Sequence, residues 1–105
     1  MPSIFSGTVN AVSPRQIDVD TASKTIVAAS DSSSTKRVGL IITNLASGTI
    51  YLAFGSHSAV VGSGVPILGA GGNWNMEEYT YTNEAVQAIA HSNNSLVAIQ
   101  EFESL

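Results

Sequence analysis

Few side chains in this sequence have the chemistry that catalysis or metal binding requires. The candidates are two histidines and two acidic pairs: His57, His91, Asp18 with Asp20, and Glu101 with Glu103. Catalysis needs acid and base groups that the fold brings together in matched pairs. Each histidine lies among small polar residues, with no further histidine or carboxylate at metal-ligand spacing. We therefore interpret both histidines as solvated turn residues, and we predict no catalytic and no metal-binding residues.

The acidic pairs have simple structural interpretations. Asp18 and Asp20 are two residues apart, so on a strand they would share one face. Calcium needs about six to eight oxygen ligands, and the glycine and closing glutamate of an EF-hand loop are missing. Glu101 and Glu103 would also share a face, and we expect them to keep a sheet edge soluble. The sequence thus predicts no bound cofactor and indicates a protein that is not an enzyme.

Other motifs of catalysis and binding are incomplete. Residues 69–72 are rich in glycine, but the Gly-Lys-Ser/Thr of a phosphate loop does not follow. No serine has the Gly-x-Ser-x-Gly spacing of a nucleophile elbow. Trp74, Tyr79 and Tyr81 could stack against a sugar ring. We favour the interpretation in which Trp74 packs in the core and the two tyrosines flank a loop.

The composition describes a small, weakly charged protein. The chain has 105 residues, which favours one domain, and 11% of them are charged, against about 25% in typical soluble domains. Four basic residues and a formal net charge of −4 offer no basic surface for phosphates, so we expect no nucleic-acid partner. No apolar run approaches the roughly 20 residues of a membrane helix, so we expect no membrane partner. A surface of small neutral polar groups suits close packing against other subunits.

The elements that would position these side chains are short strands between polar or Gly-rich turns. Runs of β-branched or alternating apolar residues occur at 25–29, 37–43, 49–54, 65–68, 74–77, 85–90 and 96–102. Pro66 restricts its strand to a sheet edge or a strand start. No segment has the length and flanking residues of a stable helix. The sequence therefore predicts an all-β protein, an antiparallel β-sandwich wired as a jelly roll or Greek key.

The most regular part of the chain is the pair of apolar runs at 37–43 and 49–54. The intervening residues 44–48 begin with Asn and end with Gly, which tolerate turn conformations, so we expect an antiparallel hairpin. Alternation places Ile41 on the face opposite to its apolar neighbours. A strand that is apolar on both faces lies between two layers or beneath a neighbouring subunit.

The first 21 residues differ from the rest of the chain. They are sparse in apolar residues, so we expect residues 1–21 to form an extended N-terminal arm and residues 22–105 to form the jelly-roll-like sandwich. The alternative is a frayed terminus. We favour an arm that contacts a partner, because it carries four apolar residues that a solvated tail would not need: Ile4, Phe5, Val9 and Val12.

Five segments carry a resemblance to a known family. In chain order they are residues 37–44, Gly48 with residues 50–55, the Gly-rich turn before Trp74, residues 86–90 and residues 97–101. This order of strands and turns resembles the small β-sandwich virion proteins of tailed bacteriophages. The likeness covers residues 36–101, with Ala53 standing where glycine is common in those proteins.

The resemblance implies a capsid decoration (cement) or head-fibre subunit at the capsid surface of a virion. It implies the major capsid protein as a partner and self-association as a trimer, with a dimer as the alternative. A receptor-binding or carbohydrate-binding module of a tail or fibre is the alternative function. We expect interfaces to involve eight residues: Ile4, Phe5, Val9, Val12, Ile41, Tyr51, Tyr79 and Tyr81.

Overall fold

The described residues of the chain form strands and turns only. The structure is a computed structural model that describes residues 9–30, 37–76 and 82–104. Within these ranges there are nine strands and no helix. The strands are β1 Val9–Ala11, β2 Arg15–Val19, β3 Lys24–Val27, β4 Arg37–Asn44, β5 Ile50–Phe54, β6 Val65–Ile67, β7 Asn73–Asn75, β8 Val86–Ala90 and β9 Ser95–Ser104.

Two antiparallel sheets pack face to face. The five-stranded sheet has the order β1-β9-β4-β7, with β2 also paired to β9, and the four-stranded sheet has the order β3-β8-β5-β6. The alternating buried residues of the strands form one core between the sheets, because successive side chains of a strand point to opposite faces. The predicted all-β fold with two packed antiparallel sheets is therefore confirmed.

The strand pairs are nested along the chain. The first two strands pair with the last strand, β3 pairs with β8, β4 with β7, and β5 with β6. Two further pairings, β4 with β9 and β5 with β8, join these ribbons into the two sheets. Pro66 lies in β6 at an edge of the four-stranded sheet, as its missing N–H requires.

The predicted hairpin between β4 and β5 is wrong. The two strands belong to different sheets, so the residues between them cross from one sheet to the other. Asn44, which is 0% exposed, fixes this crossing. Its Nδ2 donates to the carbonyls of Gly48 (2.8 Å) and Ile67 (2.9 Å), and its Oδ1 accepts from the Ala46 N–H (2.8 Å). The amide therefore replaces the backbone ladder that a hairpin would have supplied.

The predicted boundary between arm and body is also wrong for residues 9–19. These residues form β1 and β2, which pair with β9 as part of the five-stranded sheet. Between the pairs Ala11–Phe102 and Arg15–Ile99 there are three residues on one strand and two on the other, which is a β-bulge. Pro14 lies in this bulge, where no ladder N–H is needed. The predicted arm residues Ile4 and Phe5 lie outside the described residues.

Candidate functional site

A buried guanidinium ties the two sheets together at one end of the sandwich. Arg37 begins β4 in the five-stranded sheet and is 1% exposed. Its Nη1 donates to the carbonyl of Ala28 (3.2 Å), which follows β3, and its Nη2 donates to the carbonyls of Thr82 (3.1 Å) and Glu84 before β8. Because β3 and β8 belong to the four-stranded sheet, one side chain joins both layers.

The carboxylate of Glu101 completes this cluster. Its Oε2 lies 3.4 Å from Nη1 of Arg37, and its Oε1 lies 2.8 Å from Nη2 of Arg15 on β2. The expectation that Glu101 keeps a sheet edge soluble is therefore wrong, because β9 is an inner strand and the carboxylate is held between two guanidinium groups. Each carboxylate oxygen therefore contacts one guanidinium group, and the cluster links β2, β4 and β9.

The outward face of the four-stranded sheet is covered by the chain itself. We call this the covered face, although the cover is partial: among its outward residues, Tyr51 and Gln87 are half-buried and Thr25 is exposed. The loop 55–64 leaves β5 and crosses this face. Nε2 of Gln87 donates to the Gly55 carbonyl (3.1 Å), and farther along the loop the Ala59 N–H donates to Oγ of Ser23 beside the edge strand β3 (2.8 Å).

The loop is packed down at its centre. Ala59 is 4% exposed although it lies in a segment without regular structure. The tip of the loop, at Val60 and Val61, is exposed instead, with Val60 at 56%. The outward residues of β5 and β8, namely Tyr51, Ala53, Gln87 and Ile89, are half-buried, and we infer that the loop shields part of this face from water.

The outward face of the five-stranded sheet is the candidate functional site. We call it the exposed face. Ile41 on β4 and Leu96 on β9 are 37% and 38% exposed, and Ala98 lies between them. Near the centre of the face is a groove of about 310 Å³ that is largely apolar. Its lining includes Pro14, Gln16, Ile41, Thr43, Ala98 and Gln100.

The groove follows from the sequence of three neighbouring strands. Ala98 on the inner strand β9 pairs with Gln16 on one side and with Thr43 on the other, so a methyl group forms the floor between longer side chains. The bulge at residues 12–14 bends the flanking strand and places Pro14 at the rim. The exposed face is thus concave at its centre rather than flat.

The exposed face carries very little charge. Among the outward-facing described residues of β2, β4, β7 and β9, Asp18 is the one ionisable side chain. Arg15 also lines the groove, but its register partner Ile99 faces the core and its guanidinium is paired with Glu101. The remaining polar groups are amides and hydroxyls, among them Asn73 and Asn75 on β7, both of which are exposed.

The sheet edges are poor sites for adding another strand. In the four-stranded sheet, one edge strand carries Pro66 and the other has four residues, a bulge and Lys24. In the five-stranded sheet, one edge strand has three residues and the other is broken by the bulge at Pro14. Proline, bulges, charges and short length are the devices that prevent edge pairing. Association through a face is therefore favoured over association through an edge.

The predicted interface residues whose side chains the structure describes, Val12, Ile41 and Tyr51, do not lie on a single surface. Ile41 lies on the exposed face, whereas Tyr51 lies half-buried on the covered face, with its ring centroid 6.2 Å from that of His91. Val12 is half-buried at the bulge, where its backbone bonds to Glu101 and Gln100. The backbone of Val9 is described as part of β1. Tyr79 and Tyr81 lie outside the described residues, as do Ile4 and Phe5.

Trp74 packs toward the core, which favours the packing interpretation over the sugar-binding one. It is half-buried against the hydrophobic core, and its ring centroid lies 5.0 Å from that of Phe54. His57 is exposed in the loop 55–64. The residues that sequence reasoning missed are Gln16, Thr43 and Ala98, because the groove depends on which strands are neighbours, and sequence alternation does not give that order.

Neither a metal centre nor a relative identifies the site. Within the described ranges, no group of three or more His, Asp or Glu side chains could hold a metal ion. No helix in the same ranges is long and apolar enough to span a membrane. The chain matches no protein-family model, no curated protein and no solved structure.

Proposed function

We propose that this protein is a structural subunit of a virion shell, a decoration or cement protein that associates with copies of itself and with the capsid. The observation that carries the proposal is the exposed face, which combines apolar side chains, a central groove and almost no charge. Buried interface centres are depleted in charged residues, because an unpaired charge is costly to remove from water. The covered face does not offer such a surface.

The strand order supports this proposal. We infer a jelly roll from the order of the strands. With β1 and β2 counted as one strand interrupted by a bulge, the chain has eight strands in four nested pairs. Successive pairs alternate between the two sheets. Jelly rolls are frequent in viral capsid proteins, although the same fold also serves lectins and cupins. Fold alone does not fix function, so the argument depends on the surface.

The arm has a smaller part in this proposal than the sequence suggested. Residues 9–19 are committed to the five-stranded sheet and cannot lie across a neighbouring subunit without breaking their pairing with β9. Contacts with the shell are therefore assigned to the body of the sandwich. Many weak contacts on a repeating shell add through multivalency, so each single contact need not be strong.

The proposal is tested by binding to shells that lack this protein. Purified chain is mixed with phage shells assembled without it, and the mixture is separated on a density gradient. We expect the chain to sediment with the shells and to saturate at a fixed ratio to the major capsid protein. Heat-denatured shells are the control. A chain that stays at the top of the gradient at every concentration would contradict the proposal.

A further inference from the structure

We propose that the partner of the exposed face is the same face of a second copy, so that two subunits pack back to back across a two-fold axis. This inference rests on the proposed function and specifies the surface through which the subunits associate. A face that packs on itself forms an isologous contact, in which each residue set meets its own copy. A dimer, rather than the trimer that the resemblance implies, follows from this geometry.

The chemistry of the face suits a second copy of itself. Charged side chains would meet like charges across a two-fold axis, and this chain has a net charge of −4. Apart from Asp18 on the edge strand β2, the exposed face avoids this problem, because Thr43, Asn73 and Asn75 carry hydroxyls or amides that both donate and accept hydrogen bonds. Ile41 and Leu96 supply apolar contact area around these polar groups.

The size of the face limits how much surface the contact can bury. Four strand positions at about 4.8 Å spacing and about eight residues at 3.4 Å each give a face on the order of 500 Å². A stable dimer buries roughly 800 Å² per partner. The exposed face therefore supports a weak dimer, which forms at high local concentration on a shell and dissociates when the protein is diluted.

The blunted edges disfavour the competing geometry, a ring of subunits joined through sheet edges. A ring of subunits needs two different surfaces, and in sheet proteins these are often the two edges of one sheet. Here one edge of each sheet carries a proline in its edge strand or bulge, and the other edge strands are short. Association through the two outward faces of the five-stranded sheets needs no edge.

Single cysteines test the contact directly, because the natural chain has none. Three variants place a thiol on the exposed face, namely Thr43→Cys, Ala98→Cys and Ile41→Cys. Val60→Cys is the matched control, since Val60 is an exposed apolar residue on the loop over the other sheet. Each variant is oxidised at about 100 µM, a concentration suited to a contact smaller than the standard interface. Disulfide-linked dimer is then measured on a denaturing gel.

We expect at least one exposed-face variant to form dimer at least about tenfold faster than Val60→Cys, because a disulfide needs Cα atoms about 4.4–6.8 Å apart. Equal or faster crosslinking of Val60→Cys would overturn the inference. The wild-type chain is also examined by sedimentation velocity, and Ile41→Asp should weaken the dimer at least about tenfold while Val60→Asp leaves it unchanged. Circular dichroism checks that each variant is folded.

Different results would contradict the back-to-back dimer and the proposed function. A wild-type chain that stays monomeric up to about 1 mM, the upper end of the range in which weak contacts form, would overturn the back-to-back dimer, and the shell-binding assay would still decide the proposed function. A chain that dimerises equally well with Ile41→Asp and with Ala98→Arg would overturn the assigned surface alone. Failure to bind shells, together with an intact dimer, would overturn the proposed function alone.

Discussion

The two sheets of this sandwich differ in how far their outward faces are exposed to solvent. Each has an outward face with apolar side chains, because strands such as β4 and β8 are apolar on both sides. The outward face of the four-stranded sheet is partly covered by the loop 55–64, which hydrogen-bonds to Gln87 and Ser23. The five-stranded sheet presents Ile41 and Leu96 to solvent. This difference is the basis of our proposal that a partner covers the outward face of the five-stranded sheet.

The largest expected effect comes from removing the edge of the five-stranded sheet. Deleting residues 2–21 takes away β1 and β2, unpairs one side of β9 and removes Val19 from the core, where it is 0% exposed. We expect the truncated chain to lose cooperative thermal unfolding altogether. Deleting residues 2–8 keeps every described strand and is the control. A cooperative transition in the longer deletion would restore the interpretation of residues 1–21 as a separate arm.

A smaller effect is expected from breaking the tie between the two sheets. Arg37→Ala leaves three carbonyls in the segments next to β3 and β8 without the Arg37 donor and removes a buried partner of Glu101. Loss of one member of a buried ion pair costs about 3–5 kcal/mol, which urea unfolding should show. Arg15→Ala, at the more exposed member of the cluster, should cost less than about 1 kcal/mol. Equal losses in the two variants would contradict the assigned role of Arg37.

A substitution at the opposite end of the sandwich should lower the free energy of unfolding by a somewhat smaller amount. Asn44→Ala removes three hydrogen bonds from the crossing between the sheets, and the unpaired groups cost about 2–3 kcal/mol in the free energy of unfolding. Asn75→Ala, on the exposed face, is the control and should change stability by less than about 0.5 kcal/mol. If both variants unfold at the wild-type urea concentration, the crossing does not depend on the Asn44 amide.

The smallest effect on stability should come from lifting the loop off the covered face. Ala59→Arg places a long charged side chain where the loop is packed down, and we expect a loss of about 1–2 kcal/mol. The variant should also expose Tyr51 and gain binding of a hydrophobic dye. Val60→Arg, at the solvent-exposed tip, should do neither. A dye response that does not differ between the two variants would show that the loop is not what covers this face.

The sequence was sufficient for the class of the fold and for the faces of most strands. Pro66 indicated an edge strand, and alternation placed Ile41 opposite to its buried neighbours, as the structure confirms. It was not sufficient for the partner of each strand. Residues 44–48 read as a hairpin turn because a buried amide that bridges two sheets uses the same residue type as an exposed turn.

Two local features could not be predicted from the alternation of apolar and polar residues. The bulge in β3 turns both Ile26 and Val27 toward the core, although adjacent residues of a regular strand face opposite ways. Glu101 resembled a soluble edge residue because its partners, Arg15 and Arg37, are 86 and 64 positions away in the chain. Contacts across such distances depend on the sheet order, which no local pattern specifies.

The central claim is that the two outward faces differ in wild-type protein, and methyl NMR measures this without any substitution. Spectra are recorded from about 10 µM to 1 mM, the range in which weak contacts form. We expect the methyl signals of Ile41 and Leu96 to shift with concentration and those of Val60 and Val61 to stay constant. Shifts at Val60 and Val61 with constant signals from Ile41 and Leu96 would contradict the claim.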